Sequence, residues 1–548
     1  MNKLLLPLIL SSLMVSSSEA QVNSPTPDQL LRGGNNPLRS CYDVHSYYLD
    51  LKIDIGRRYI TGSNRISFKV LNDFDSLQID LFSNFTVDSI VGIRQRLAYR
   101  RLHNSIIVFF PTRQHTGQRD SLTVYYRGTP QTAAKPPWQG GFVWKKDAQG
   151  RPWVGVACQG VGASVWFPCK DQLADEPAVV WLKFTVPAAL ICVANGRLLF
   201  REQTDSVSTW LWHVSYPINT YNITVNLAHY AHWRDVLLFN SDTLTLDYYV
   251  LDYNRAVAEP HLQQTRSLLT CFSSYFGTYP FLRDGFKLVE TPYWGMEHQS
   301  AISYGNEFIN NKWGFDFILV HETAHEWWGN HVSAADYADL WLHEGLGTYA
   351  ETIYLECLSG DSLAREYLNQ QALQIRNQVP LVGPRGINYR FPDNDIYYKG
   401  AWVIHTFRNA LNNDVVFFQL LQKLQETYGM RTLLTEDFIA FVNQFTGNDW
   451  TAFFRQYLWH AQPPRLLYSV HKKRRGTLVR LRWNSSENGF SLPVAIADSY
   501  RYEWGKIYRT FRRVPVTTSW TQHYLPHIKP HQFEIQRNGY FLVEKIKD

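Results

Sequence analysis

The spacing of apolar residues changes twice along the 548-residue chain, and this change most limits the folds it can adopt. Residues 47–54 alternate between apolar and polar side chains, and similar short runs separated by turn residues continue to about residue 240. Such alternation is typical of β-strands with one buried face. Apolar residues then recur at helical spacing up to about residue 460, and alternation returns after Pro463 and Pro464. We therefore predict a multidomain α+β protein.

The predicted organisation has five parts. Residues 1–20 are typical of a signal peptide, with Lys3 before an apolar run and a small-x-small cleavage site ending at Ala20. Residues 21–40, rich in Pro, Asn and Gly, are predicted to be a disordered leader. The folded parts are an N-terminal all-β domain at 41–240, a mostly helical domain at 241–460 and a small C-terminal β-sandwich at 461–548. The signal-peptide pattern predicts an exported protein, periplasmic or secreted. The N-terminal apolar run is too short to span a bilayer, so we expect no integral membrane segment.

Charge and cysteine content exclude some classes of protein. A formal net charge of +6 is weak over this length, so no nucleic-acid partner is expected. One dense basic run, residues 472–475, indicates either a solvated hairpin tip or a contact with an anionic envelope or polymer. The six cysteines contain no C-x-x-C pair and are expected to be buried free thiols, although export permits a bridge, with Cys158 and Cys169 the closest pair in sequence.

The helical region contains an H-E-x-x-H motif, in which Glu322 follows His321 and precedes His325. Residues four apart lie on one face of a helix, so both imidazoles can reach one metal ion. Glu322 lies about 100° around the helix from His321, near enough to hold a water bound to that ion. The next predicted helix carries Glu344, which completes a set of two histidines and one carboxylate and leaves a fourth position for water. The alternative is that these are core histidines and a helix-surface acid.

Five segments occur in an order that resembles one known family. They are FPCKD at 167–171, WGMEH at 294–298, HETAHEWWGN at 321–330, DLWLHEG at 339–345 and YYKG at 397–400. Together they resemble the aminopeptidase N family of zinc metallopeptidases, gluzincins that also include leukotriene hydrolase. The likeness runs from about residue 43 to about residue 460. The sequence departs from the family pattern at Trp294, His298, Ala338 and His343, none of which is a predicted metal ligand.

The resemblance implies a thermolysin-like catalytic domain at 241–460 that holds one zinc ion (Zn2+) per chain on His321, His325 and Glu344. It implies that Glu322 is the general base that activates the attacking water, and that the Tyr397 hydroxyl stabilises the developing oxyanion. Without the resemblance, Tyr397 would be interpreted as a packing residue.

The resemblance also implies a site for the free N-terminus of a peptide. Glu297 is the candidate carboxylate for the substrate's α-ammonium, and further candidate substrate-binding residues are Gln159, Tyr293, Gly295 and Met296. On the residues alone, the alternative is that Gln159 is an ordinary strand glutamine. Tyr293 and Trp294 either line the pocket for the first side chain or pack the loop.

We therefore expect a zinc aminopeptidase that acts on peptides with a free N-terminus. Two alternatives remain: a gluzincin of different specificity, such as an endopeptidase or a hydrolase of non-peptide substrates, and a catalytically silent peptide-binding or scaffold protein. Glu297 argues against an endopeptidase, and the complete set of ligands and catalytic residues argues against a silent protein. The sequence leaves open the preferred first residue and whether the chain is a monomer or an oligomer.

Overall fold

The computed structural model of the chain describes residues 24–239, 242–504 and 506–547. The predicted signal peptide, residues 1–20, lies outside the described residues. The described chain has an N-terminal β region, a central region in which helices pack on a five-stranded sheet, and a C-terminal β region. The predicted α+β class, with its order of parts, is therefore confirmed.

The N-terminal region is built on two sheets. Its strands are β1 Tyr42–Asp54, β2 Tyr59–Val70, β3 Phe74–Asp80, β4 Phe85–Gly92, β5 Arg96–Leu102, β6 Ser105–Gln114, β7 Arg119–Gly128, β8 Gly141–Lys146, β9 Pro152–Ala157, β10 Val179–Pro187, β11 Ile191–Ala194, β12 Arg197–Gln203, β13 Val207–Val214 and β14 Val225–Ala228. The ten-stranded sheet has the order β12-β13-β10-β1-β2-β7-β4-β5-β6-β3, and the smaller sheet the order β11-β14-β9-β8. In β10 and β13 every second residue is buried, because successive side chains of a strand point to opposite faces.

The prediction of a disordered leader is wrong for residues 24–40. Two short helices occur there, α1 Pro27–Gly33 and α2 Pro37–Ser40. The side chains of Thr26 and Asn36 cap them, so the Pro and Asn content that favoured disorder supplies helix starts instead. Arg39 is fully buried and forms an ion pair with the equally buried Asp80, which fixes the segment against the large sheet.

The central region combines one mixed sheet, a short parallel strand pair and nine helices among the described residues. The strands are β15 Tyr230–Phe239, β16 Asp242–Leu251, β17 Phe286–Glu290, β18 Gly295–Met296, β19 Ile302–Tyr304, β20 Val332–Ala334 and β21 Arg431–Leu433. The helices are α3 Arg255–His261, α4 Gln264–Phe276, α5 Phe317–Ala324, α6 Trp341–Ser359, α7 Asp361–Ala372, α8 Asp395–Leu411, α9 Asp414–Tyr428, α10 Thr435–Thr446 and α11 Thr451–Leu458. The sheet order is β15-β16-β17-β19-β18, so β18 forms an edge.

According to the strand pairing, the boundary between the N-terminal and central regions lies earlier in the chain than the predicted residue 240. Strands β15 and β16 form one antiparallel hairpin, and β16 continues the sheet of the central region. The predicted boundary at residue 240 therefore falls inside this hairpin. Alternation alone could not reveal this, because it identifies a strand without identifying its sheet.

Helices α6 and α8 cross at unusually short range. A β-carbon on Gly400 would lie 2.8 Å from the Cα of Gly345, and one on Gly345 would lie 3.0 Å from the Cα of Gly400. Only glycine at both positions permits this approach. Cys271 of α4 and Cys357 of α6 form a disulfide, whereas the other four cysteines, including Cys158 and Cys169, are free and buried.

The C-terminal region contains two small sheets. Its strands are β22 Arg465–Lys473, β23 Gly476–Asn484, β24 Val494–Glu503, β25 Lys506–Val514, β26 Thr521–Pro526, β27 Ile535–Gln536 and β28 Leu542–Lys545. The sheet orders are β26-β23-β22-β28 and β25-β24-β27. The basic run lies at the β22–β23 turn, as the hairpin interpretation predicted. None of the helices in the described ranges is long and apolar enough to cross a membrane.

Candidate metal centre and active site

The three predicted metal ligands converge between α5 and α6. Asp316 caps the N-terminus of α5, where its carboxylate accepts a hydrogen bond from the Leu319 amide. His321 lies within the helix, and His325 is the residue that caps its C-terminus. The Nε2 atoms of His321 and His325 are 3.2 Å apart. Oε2 of Glu344 lies 3.6 Å from the first nitrogen and 3.4 Å from the second. All three side chains are buried.

Both imidazoles are oriented by partners on their other nitrogen. Nδ1 of His321 lies 2.7 Å from Oε1 of Glu351, and Nδ1 of His325 lies 2.8 Å from the Trp328 carbonyl oxygen. These acceptors place the imidazole proton on Nδ1 and leave each Nε2 lone pair directed at the centre. Glu351 was missed in the sequence, although a signal exists: it follows Glu344 by seven residues, two turns further along the same face of α6.

The donor set fits a metal ion. His321, His325 and Glu344 each offer one atom within 4.8 Å of the others, a grouping that could hold one cation. The buried Oε2 of Glu344 accepts no hydrogen bond from the described residues, which is costly unless a cation binds it. Two neutral imidazoles and one carboxylate suit zinc, with a fourth position open.

Glu322 lies beside this cluster in the same cavity. Burial raises the pKa of its carboxyl to about 8; Glu297 and Glu344 add to the rise, whereas His321 and His325 oppose it. A bound cation would favour the charged form. Gly295 makes room for this carboxylate, since a β-carbon there would lie 2.4 Å from Glu322 Oε1.

Tyr397, in the first turn of α8, lines the same cavity as the ligands. Its ring centroid is 5.9 Å from that of His321. The close α6–α8 crossing at Gly345 and Gly400 brings it there. Burial raises the pKa of the Tyr397 hydroxyl well above its usual value, and the Glu344 carboxylate adds to the rise, so the hydroxyl remains a hydrogen-bond donor.

Glu297 follows the edge strand β18 and is buried. Its Oε1 accepts hydrogen bonds from Gln159 Nε2 at 2.7 Å and from the Tyr221 hydroxyl at 2.9 Å. Gln159 Nε2 also lies 3.2 Å from Glu344 Oε1. The structure therefore brings the predicted Gln159 and Glu297 together beside the ligands. Tyr221 was not predicted, because no local pattern distinguishes it from a packing tyrosine.

A buried polar network supports Glu297 from behind. Asn330 Nδ2 donates to the Glu297 carbonyl oxygen and to Glu326 Oε1, both at 2.9 Å. Asn222 Nδ2 donates to Asn330 Oδ1 at 2.6 Å. Asn222 is fully buried, so the N-terminal region helps to fix the geometry of the site.

His343, where the sequence departs from the family pattern, supports Tyr221. The Ala334 amide donates to its Nε2 at 2.7 Å, so the ring proton is on Nδ1. Nδ1 lies 3.5 Å from the Tyr221 hydroxyl oxygen. This hydroxyl can therefore accept from His343 and donate to Glu297.

Two adjoining cavities meet at the ligands. The first, about 120 Å³, is lined by Pro137, Trp138, Gln159, Trp294, Gly295, Met296, Glu297, Phe317, Ile318, His321, Glu322, His325, Glu344, Thr348, Glu351, Asn394, Tyr397 and Tyr398. The second, about 200 Å³, shares Gln159, Glu344 and Tyr397 with it and extends to Leu340 and Phe391.

Tyr293 lines neither cavity, contrary to the prediction of a substrate-binding role. Its hydroxyl donates to the Val156 carbonyl oxygen at 3.1 Å and lies 3.0 Å from Ser303 Oγ, so it packs the loop from behind. His298 is also buried away from the cavities, with Nδ1 2.9 Å from Ser303 Oγ. Trp294 does line the first cavity.

Solved structures with a similar backbone define the class of fold. An M1 zinc metallopeptidase from Deinococcus radiodurans matches with a TM-score of 0.66 at 21% identity, covering 77% of this chain and 94% of that one. A two-domain M1 zinc metallopeptidase mutant bound to L-tryptophan matches with a TM-score of 0.67 at 21% identity, covering 77% and 95%. The chain therefore has the fold of an M1 zinc metallopeptidase.

The sequence of the central region matches a known family model. Residues 261–457 match the peptidase family M1 domain, which confirms the stated resemblance for this part of the chain. Endoplasmic reticulum aminopeptidase 1 from Mus musculus is 25% identical over 302 residues, 50% of this chain and 31% of that protein. Aminopeptidase B from Mus musculus is 24% identical over 331 residues, 54% and 46%. The chain thus spans less than half the length of these curated relatives.

Proposed function

We propose that the protein is a zinc aminopeptidase that hydrolyses the N-terminal residue from peptides. The observation that carries this proposal is the buried Glu297 carboxylate, which Gln159 and Tyr221 hold beside the His/His/Glu cluster. A buried carboxylate favours a ligand that brings a positive charge. The free α-ammonium of a peptide supplies one, whereas an internal peptide segment does not.

The reaction needs a nucleophile, a proton carrier and stabilisation of the oxyanion. Zinc held by His321, His325 and Glu344 would supply a Lewis acid that polarises the scissile carbonyl and lowers the pKa of a water. Glu322 takes a proton from the attacking water and passes it to the leaving amine. The Tyr397 hydroxyl donates a hydrogen bond to the carbonyl oxygen as it gains negative charge.

The positions of these groups determine the orientation in which the peptide binds. The free amine binds at Glu297 and Gln159, and the leaving amine must reach Glu322. Gln159 and Glu344 line both cavities, whereas Glu297 and Glu322 line only the first. We infer that the first side chain extends from the amine site past Gln159 into the second cavity. The residues after the scissile bond pass Trp294 and Phe317 in the first cavity. Gly295 and Met296, on the edge strand β18, offer backbone groups for pairing with the peptide.

A comparison of free and capped substrates tests the proposal. An unblocked aminoacyl amide should be cleaved and its N-acetylated counterpart should not, because the cap leaves Glu297 without a partner. Losing one partner of such a buried pair costs roughly 3–5 kcal/mol, about two to four decades in kcat/KM. Glu297→Ala should strongly lower kcat/KM for the free substrate. It should also narrow the difference in kcat/KM between the free and the capped substrate.

Glu366→Ala, a change at an exposed glutamate of α7, is the matched control and should behave as wild type. Zinc content should stay normal in both variants, since neither residue is a ligand. Equal cleavage of free and capped substrates by the wild type would favour an endopeptidase. Stoichiometric zinc with no hydrolysis of any aminoacyl substrate would favour a silent binding protein.

We also infer that the chain is exported and processed after Ala20, which rests on the signal-peptide pattern of residues 1–20. Mass spectrometry of protein from the native envelope or medium should find an N-terminus near Gln21. An intact Met1 terminus in cytoplasmic protein would contradict export.

A further inference from the structure

The positive charge of this protein is concentrated in its C-terminal region. Residues 461–548 contain 16 Lys and Arg against 6 Asp and Glu, a net charge of +10, whereas the whole chain carries +6. The remainder of the chain is therefore slightly acidic. A strongly basic region on such a chain indicates a surface for an anionic partner. Neither the proposed peptidase site nor its cavities include these residues.

Strands β24 and β25 form a ribbon that projects from this region. The short strand β27 pairs only with Ala495 and Ile496, near the base of β24. From Ser499 to Glu503, β24 pairs with β25 alone among the described residues, so the outer ribbon has no third strand. A ribbon of two strands gains little stability in water, and exposed aromatic residues on it favour a partner.

The ribbon carries aromatic side chains at its tip. Tyr502 is 73% exposed, Trp504 at the turn is 96% exposed and Tyr508 is 46% exposed. No described aromatic ring or cation stacks on Trp504. Among the exposed large apolar side chains of the described residues, this indole has the highest exposed fraction.

The basic β22–β23 turn, residues 472–475, lies at the same end of the region. The Trp483 amide donates to the Thr517 carbonyl oxygen at 2.8 Å. Further back along the chain, Arg512 donates to the carbonyl oxygen of Tyr524 at 3.3 Å, and Tyr524 is paired with Leu478. From Thr517 back to Arg512, the chain therefore runs alongside β23 in the direction from Trp483 to the β22–β23 turn. The β24–β25 ribbon continues in this direction past the turn.

The cations of this turn are available to a partner. Lys472, Lys473, Arg474 and Arg475 are all exposed, and within the described ranges no carboxylate forms an ion pair with them. On the ribbon, by contrast, Arg501 pairs with Glu503 at 3.2 Å. The turn therefore supplies charge, and the ribbon tip supplies aromatic surface.

We propose that the β22–β23 turn and the tip of the β24–β25 ribbon together bind the surface of a membrane that contains anionic lipids. Tyr and Trp are favoured at the membrane–water interface, where the ring is partly buried and its polar atom stays hydrated. Clustered Lys and Arg are attracted by anionic headgroups.

Vesicle co-sedimentation tests this proposal on the processed protein that begins near Gln21, with every variant prepared in the same way so that all have the same N-terminus. Wild type should bind vesicles of phosphatidylcholine with phosphatidylglycerol, bind phosphatidylcholine alone much more weakly, and dissociate as salt rises. Each Lys or Arg near such a surface contributes about fivefold to partitioning. Lys472→Glu, Lys473→Glu and Arg474→Glu together should therefore lower binding by more than roughly a hundredfold. Trp504→Ser should lower it by about tenfold.

Matched controls separate this surface from general effects of charge and apolarity. Arg57→Glu, Arg94→Glu and Arg100→Glu together make the same change in net charge on the N-terminal region, and Leu373→Ser removes a side chain that is 79% exposed. Both controls should bind vesicles as wild type does, and thermal unfolding should show that all variants fold.

Three results would overturn the proposal. They are equal binding to neutral and anionic vesicles, unchanged binding by the turn and Trp504 variants, and no binding to either vesicle. Retention on a heparin column by a protein that ignores vesicles would assign the surface to an anionic polysaccharide instead.

Discussion

Replacing Glu351 with glutamine tests whether the metal site depends on the carboxylate behind its first histidine. Oε1 of Glu351 lies 2.7 Å from His321 Nδ1, while Oε2 accepts hydrogen bonds from the Tyr367 hydroxyl and from Gln371 Nε2 at 2.9 Å. A carboxylate can accept all three. A glutamine has one acceptor oxygen and must turn its NH2 group toward a donor on one side.

This conflict should loosen His321 and make its Nε2 a weaker ligand. Loss of an outer partner of a metal-binding histidine typically costs 10–100-fold in metal affinity, about 1.4–2.8 kcal/mol. Competition with a zinc chelator should therefore show Glu351→Gln binding zinc 10–100-fold more weakly than wild type. Glu366→Gln makes the same chemical change on the exposed side of α7 and should leave affinity unchanged. Wild-type zinc affinity in Glu351→Gln would refute the reasoning.

Three further predictions follow from the site and the fold. Glu322→Gln should keep its zinc, because the residue is not a ligand, while kcat falls by on the order of 10² or more; near-normal kcat would remove Glu322 from the mechanism. Gly400→Ala should destabilise the protein by about 1–3 kcal/mol and lower kcat, since its β-carbon would lie 2.8 Å from the Cα of Gly345. Chemical denaturation measures the stability and steady-state kinetics measure kcat. Unchanged stability would contradict the close crossing of α6 and α8. Arg39→Met should cost about 3–5 kcal/mol by leaving Asp80 buried without its partner; a denaturation midpoint equal to wild type would mean that the N-terminal helices do not anchor there.

Local patterns predicted the class of fold, but not how the elements join. Alternation indicated a β-strand in residues 47–54, which lie in β1. It could not assign β15 to the central sheet, because the pairing of β16 with β17 depends on contacts about 40 residues apart in sequence. Residues 24–40 were misjudged for a related reason: the ion pair of Arg39 with Asp80 that orders them is a long-range contact.

The candidate site likewise contains some residues that the sequence could predict and others that it could not. His321 in α5 and His325 at the C-terminal cap of that helix are four residues apart, so their common face follows from helix geometry. Tyr221 reaches Glu297 from a turn in the N-terminal region, 76 residues earlier in the chain. No spacing rule connects such residues, and only the packing of the two regions brings them together. The resemblance supplied Gln159, which lies beside Glu297, whereas Tyr293 packs the loop, which was the second of its two interpretations.

The buried position of Asn222 has a consequence for how the protein can be made. Asn222, Ile223 and Thr224 form an N-x-Thr glycosylation acceptor. In the folded protein the Asn222 amide is fully buried and its nitrogen is used in the hydrogen bond to Asn330. A glycan attached there before folding would fill the space behind Glu297 and prevent the two regions from closing. Production through a glycosylating secretory pathway should therefore yield misfolded chains in proportion to modification of Asn222, whereas a host without this modification avoids the conflict.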